Sequence, residues 1–184
     1  MKNYTQYADA VINEINQSIH AVDSTGVEML VDKIIHAPRV FCDGLGRSGL
    51  QSGAFAVRLK QLGKEVYIVS ELTTPAIGQG DLLIICSGSG ETECLVAHAG
   101  KAKSFDADVV LITASENSSA DSFSQLNILI PADTKLRHGE SSLQPLGNLF
   151  EQSLAIVLDI VAMLIAQKLD VSNDDMYLRH KNLE

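Results

Sequence analysis

The chain has 184 residues and a formal net charge of −9, with 46% hydrophobic and 20% charged residues. That length supports a domain with a sizeable core, and no stretch has the composition of a disordered segment. The acidic balance argues against nucleic acid and anionic membrane surfaces as partners, since both would repel the protein, and an anionic ligand would need a locally positive pocket.

Residues 3–20 carry Tyr4, Tyr7, Ala8, Val11, Ile12, Ile15 and Ile19 at three-to-four spacing, which predicts an amphipathic helix. A second helix is expected from Ser24, as N-cap, with Val27, Leu30, Val31, Ile34 and Ile35 on its apolar side, ending before Pro38. Strand-like R-V-F-C-D at 39–43 leads into G-L-G-R-S-G at 44–49, then a helix from about Ser48 to Leu62 closed by Gly63. Glu65–Val69 reads as a second strand and the apolar run Leu82–Cys86 as a third, buried on both faces. S-G-S-G-E-T follows at 87–92, with helix periodicity from near Glu91 to about Ser104. A fourth strand is expected at Asp108–Thr113, then a polar turn with a short helix, and a fifth strand at Ile128–Ile130.

Strands alternating with helices imply an α/β fold, a three-layer α-β-α sandwich on a five-stranded parallel sheet. Order 2-1-3-4-5 would set 44–49 beside 87–92 at the topological switch point, beyond the carboxyl ends of the strands. Residues 131–144 read as a long irregular loop, a lid candidate. From Pro145 to Leu169 a helix pattern is apolar around much of its circumference, more than one sheet can cover, so a subunit interface is expected. Its most apolar part, Leu154–Ala166, contains Asp159 and is expected to fall short of the ~20 residues that cross a bilayer. The expected organisation is one domain over 1–184: N-terminal helices at 3–36, a core at 39–130 and C-terminal helices at 145–180. Cys42, Cys86 and Cys94 form no C-x-x-C pair, and the N-terminus has no apolar signal-like run, so reduced thiols and a cytoplasmic location are expected. Cys42 and Cys86, in strands, read as small buried hydrophobes.

Ser87, Gly88, Ser89 and Gly90 lack bulk, so their amides can approach a ligand closely at a helix start. Ser87, Ser89 and Thr92 add hydroxyl donors, and with no Lys or Arg inside the loop a phosphoester would be held by oriented dipoles. The plainer reading is a tight strand-to-helix turn with Ser as N-cap. G-L-G-R-S-G follows a strand like a dinucleotide fingerprint, but no acid ends the second strand to hold a ribose, and the nearest is Glu71. Gly46, Arg47 and Ser48 are better read as a second wall of a phosphate or sugar pocket, with Arg47 its cation, the alternative being an Arg paired with surface carboxylates.

G-L-G-R-S-G, S-G-S-G-E-T, Q-P-L-G-N-L-F-E-Q at 144–152 and a terminal R-H-K-N-L-E together resemble the sugar isomerase (SIS) domain family, and within it the 6-phospho-3-hexuloisomerases. The resemblance departs at Leu146, Asn148 and Lys181, where that family usually has Met, Ser or Thr, and often Ala. It implies interconversion of D-arabino-hex-3-ulose 6-phosphate and D-fructose 6-phosphate, with no metal and no organic cofactor. It also implies a homotetramer, or a dimer, and a functional link to a hexulose-phosphate synthase by analogy. Glu151 falls where the family's catalytic carboxylate lies; without the resemblance it would read as a solvated first-turn Glu favoured by the helix dipole. His180 is the second catalytic candidate, a relay between substrate oxygens that another subunit could supply, against the alternative of a surface group. His20, His36 and His98 read as structural or solvated, and His138 stays open through its loop. Glu91 and Glu93 would repel a phosphate unless turned away. Two further readings stand beside this one: a C1–C2 aldose–ketose isomerase of the same fold, and a non-catalytic sugar-phosphate sensor.

Overall fold

The computed structural model describes residues 2–134, 142–180 and 182. Lys181, His138 and residues 135–141 of the expected lid lie outside them.

The apolar runs form a parallel sheet of five strands, β1 (Val40–Gly44), β2 (Val66–Ile68), β3 (Leu82–Cys86), β4 (Asp108–Thr113) and β5 (Leu126–Leu129), in the order β2-β1-β3-β4-β5. Val40 pairs with both Val66 and Leu82, and Gly44 with Cys86, so β1 and β3 end level with each other. Alternate residues serve opposite faces, as the strand period requires. Cys42, Ile84 and Ile112 join one cluster with Leu30, Leu59 and Leu158, while Phe41, Ile85 and Leu111 join another with Leu95 and Ala99.

The larger cluster is covered by α1 (Tyr4–His20), α2 (Ser24–His36), α3 (Gly46–Gln61) and α5 (Asn148–Leu169); the smaller lies beneath α4 (Glu93–Ser104) and a 3-10 turn at Asp121–Phe123. A last short helix, α6 (Asn173–Leu178), is capped by Ser172 and packs on α3. At the amino end of the sheet, Arg39 grips the buried Asp81 through Nε at 2.9 Å and Nη2 at 2.5 Å.

Several boundaries move for identifiable reasons. Asp23, not Ser24, caps α2, because its carboxylate accepts from the amides of Thr25 and Gly26, each at 3.1 Å. The helix expected from near Glu91 starts at Glu93, because Thr92 is extended, at φ −71° and ψ 112°, and stands as its N-cap. The final long helix begins at Asn148 rather than Pro145 because Leu146 sits at φ +55°, which a right-handed helix cannot accommodate. β5 lies at Leu126–Leu129, two residues ahead of its expected start.

α5 departs from expectation in its apolar reach as well. It has 22 residues, and its most apolar window has a mean hydropathy of 2.0, so it is long and apolar enough to cross a bilayer by composition alone. Half of its most apolar window is buried within the protein, with Leu154, Val157, Leu158, Val161 and Ile165 packed in the larger cluster. That is how a core helix spends its apolar surface. Ile160 and Met163 remain exposed on its outer side, as do Leu50 and Val57 on α3 and Tyr4, Tyr7 and Ile12 on α1, so α1 buries its predicted stripe only in part.

Candidate functional site

Because β1 and β3 end level, the loops that follow them open side by side, and the start of α5 closes the space between. The result is a cavity of about 320 Å³. It is lined by Gly46, Arg47 and Ser48 from the first loop, Ser87, Gly88, Ser89 and Thr92 from the second, and Leu146, Gly147, Phe150 and Glu151 from the third. Eight of the residues singled out from the sequence therefore meet in one place; Gly90 supports the loop from behind and His180 does not join them from the same chain.

Local geometry explains why small residues stand here. A Cβ on Gly49 would sit 2.5 Å from the Gly44 carbonyl oxygen, and one on Gly90 would sit 2.1 Å from Ser118 Oγ. The second loop is held from within: Ser87 Oγ accepts from the Gly90 amide at 3.1 Å, and Ser89 Oγ accepts from the Glu91 amide at 3.3 Å. A hydroxyl that accepts in this way keeps its own proton to donate elsewhere. Among the described residues the amides of Gly88, Ser89 and Thr92 make no hydrogen bond.

The helix starts separate into two kinds. α1, α2 and α6 are capped by the side chains of Asn3, Asp23 and Ser172. α3, α4 and α5, whose first residues or caps line the cavity, have no side-chain cap. Three uncapped N-termini, each equivalent to roughly half a positive charge, thus converge on one space, which suits an anion in an otherwise acidic protein. Glu91 does not oppose this. It turns away to accept from the Ser119 hydroxyl at 2.5 Å and the Ser119 amide at 2.8 Å, and those two bonds, the hydroxyl first, hold its carboxyl below the usual range.

Arg47 does not point at the loop of serines. Its Nε donates to Glu151 Oε2, and its Nη2 donates to Asn148 Oδ1 at 2.7 Å. The Arg47 side chain is 62% exposed and that of Glu151 17%. Glu151 lies in the first turn of α5, on the same face as Asn148 three residues earlier. Cys86, in the cavity wall, is an unreactive thiol: burial pushes it up to about 12. Among the described residues no three His, Cys, Asp or Glu side chains converge as metal ligands would.

His180 sits after α6. Neighbouring Arg179 donates to the Gln61 carbonyl at the far end of α3, whereas the cavity lies at that helix's first turn. At ~1.5 Å per residue the two are about 20 Å apart along α3. Reading the sequence also missed the partner of Arg47, Asn148, and Gln144 behind it, as well as Thr134 and Phe150 in the cavity wall, none of which gives a chemical signal by type or spacing. His98, read as structural or solvated, has a defined partner, its Nδ1 lying 2.7 Å from Oδ2 of the buried Asp43. The other Asp43 oxygen accepts from the Gly44 amide at 2.8 Å, so one carboxylate links the end of β1 to α4.

A parallel sheet of this order, with three uncapped helix starts around a cavity at its switch point, defines the class to which the comparisons assign the chain: the SIS domain matches residues 33–158, and the protein belongs to that family. More particularly, it is 37% identical over 182 residues, covering 98% of both chains, to the 3-hexulose-6-phosphate isomerase of Bacillus subtilis. It is 36% identical to the enzyme of that name from Mycobacterium gastri, covering 98% of this chain and 91% of that one. Among solved structures it matches, at a TM-score of 0.86 and 34% identity, a Methanococcus jannaschii protein for which a 3-hexulose-6-phosphate isomerase function was inferred; the match covers 97% of this chain and 99% of that one.

Proposed function

We propose that the protein is a 6-phospho-3-hexuloisomerase, interconverting D-arabino-hex-3-ulose 6-phosphate and D-fructose 6-phosphate through a cis-enediolate. The observation that carries this reading is that the serine loop, three uncapped helix starts and the Glu151 carboxylate share one cavity. The phosphate rests on the amides and hydroxyls of Ser87, Gly88, Ser89 and Thr92, with Gly46 and Ser48 closing the opposite wall. Glu151 takes the C2 proton of the 3-ketose as its electron pair forms the C2–C3 double bond and the carbonyl oxygen at C3 gains the charge. Arg47, beside Glu151, stabilises the enediolate. Return of the proton to C3, with loss of the O2 proton, leaves the ketone at C2.

A proton must also pass between O2 and O3, and we assign that relay to His180 from a neighbouring subunit, since its own chain holds it at the far end of α3. The exposed apolar side chains of α1, α3 and α5 support assembly, as a homotetramer or a dimer. Residues 1–184 are read as a single SIS domain, with α1 and α2 packed on α5. The cytoplasm is the compartment assigned, supported by three unpaired cysteines. By analogy, a synthase joining formaldehyde to ribulose 5-phosphate supplies the 3-ketose.

Assaying the 3-hexulose against pentose and heptose phosphates tests the substrate: conversion of the 3-hexulose alone supports it, and preference for an aldose–ketose pair overturns it. Mixing subunits tests the shared site. Inactive Glu151→Gln and inactive His180→Asn oligomers, dissociated and reassembled together, regain activity if one subunit completes another's cavity, and stay inactive if each chain is self-sufficient.

A further inference from the structure

Glu14 on α1 lies outside the residues that match the SIS domain, yet it stands at the head of a chain of hydrogen bonds that ends on Glu151. Its carboxylate accepts from the Ser142 hydroxyl at 2.7 Å, the Leu143 amide at 2.9 Å and the Gln144 side-chain amide at 3.1 Å. Gln144, which is buried, accepts in turn from Asn148 Nδ2 at 2.9 Å. Asn148 Oδ1 accepts from Arg47 Nη2 at 2.7 Å, and Arg47 Nε donates to Glu151.

The two ends of this chain fix its direction. A carboxylate only accepts and a guanidinium only donates. Gln144 must therefore turn its NH₂ to Glu14 and its oxygen to Asn148, and Asn148 must turn its NH₂ to Gln144 and its oxygen to Arg47. Reversing either amide would set donor against donor or acceptor against acceptor at two contacts. With Asn148 fixed in this sense, Arg47 Nη2 has an acceptor at a set position, and its Nε is aimed at Glu151 rather than left to rotate over the open cavity.

We propose that Glu14 is a positioning residue for the isomerisation, acting through Gln144 and Asn148 to fix the direction in which Arg47 meets Glu151. The inference rests on the reading of Glu151 as the base, and it gives α1 a role in the site without any contact with substrate. A purely structural Glu14, pinning residues 142–144 to α1, would alter stability but not turnover per folded molecule.

The test is a reversal of polarity. Glu14→Gln keeps the size of the side chain but presents an NH₂ where an acceptor is needed, and kcat should fall by about tenfold or more, with KM changed much less. Adding Gln144→Glu restores an acceptor at position 144 for both position 14 and Asn148, and should recover most of the lost turnover. The ¹⁵Nε resonance of Arg47 in the ligand-free protein gives a readout independent of activity: it should shift in the single variant and return in the double. A wild-type kcat in Glu14→Gln, or a double variant no better than the single one, overturns the proposal. If the wild type fails to convert the 3-ketose, or Glu151→Gln retains its turnover, the assigned activity has failed instead. The Arg47 resonance then decides the positioning role alone, and an unmoved resonance in Glu14→Gln overturns it.

Discussion

Replacing Gly90 by alanine tests how closely the serine loop is fitted to its support. Gly90 holds φ +66°, and an added Cβ would lie 2.1 Å from Ser118 Oγ and 2.4 Å from Ser118 Cβ. The left-handed backbone costs a non-glycine residue about 1–2 kcal/mol. Overpacking against a buried neighbour adds about 1–3 kcal/mol, since Ser118 Cβ is not the free end of a flexible chain. The expected loss is then about 2–5 kcal/mol. Gly46 supplies the control: at φ +57° it carries the same backbone strain, but nothing lies within 4 Å of its Cβ position, so Gly46→Ala should lose only the strain part. Urea denaturation of both variants, compared through midpoint and slope, measures the difference. Ser118→Gly added to Gly90→Ala removes both clashing atoms and should recover the overpacking part. Equal losses at the two glycines, or no recovery from Ser118→Gly, would refute the reasoning and show that the loop relaxes freely.

Two further outcomes follow from burial and charge. Burial pushes the thiols of Cys42 and Cys86 well up, Cys86 to about 12, so a thiol reagent should label the folded protein at the exposed Cys94 and reach the other two only on unfolding, as peptide mapping would show. For Glu14, burial pushes the carboxyl up, but the bonds from Leu143, Ser142 and Gln144 together outweigh it and hold it below the ordinary value of 4.5. A carboxyl lowered on folding stabilises the native state above its unfolded value and loses that contribution as pH falls through the folded one. The stability gap between wild type and Glu14→Gln should therefore be full near neutrality and close at pH below 4.5, as denaturation across that range would show.

The sheet was legible because its strands are buried on both faces and so read as unbroken apolar runs: Leu82–Cys86 and Asp108–Thr113 lie where the sequence puts them. Helix starts were less so wherever the backbone turns left-handed. Gly90 announces such a turn by its type, but Leu146 does not, since φ +55° runs against a leucine's own preference. Small residues and hydroxyls in two loops pointed to the place where the cavity lies, because close approach of one backbone to another restricts residue type. The network behind Arg47 was illegible: Glu14, Gln144 and Asn148 are ordinary polar residues, and only the fold brings residues more than a hundred positions apart within 3.1 Å. Of the two readings weighed for Arg47, the cation of a pocket and an Arg paired with surface carboxylates, the second is met in an unexpected form: Arg47 lines the cavity and its carboxylate partner there is the largely buried Glu151.

The central claim, that Glu151 moves a proton between C2 and C3 of a sugar held by its phosphate, is tested most directly by incubating fructose 6-phosphate with the protein in heavy water and locating the deuterium by NMR. Abstraction next to the C2 ketone on the C3 side should place deuterium at C3 and not at C1, and Glu151→Gln should slow that exchange by about 10²-fold or more. Deuterium at C1, no exchange despite binding, or C3 exchange undiminished in Glu151→Gln would contradict it.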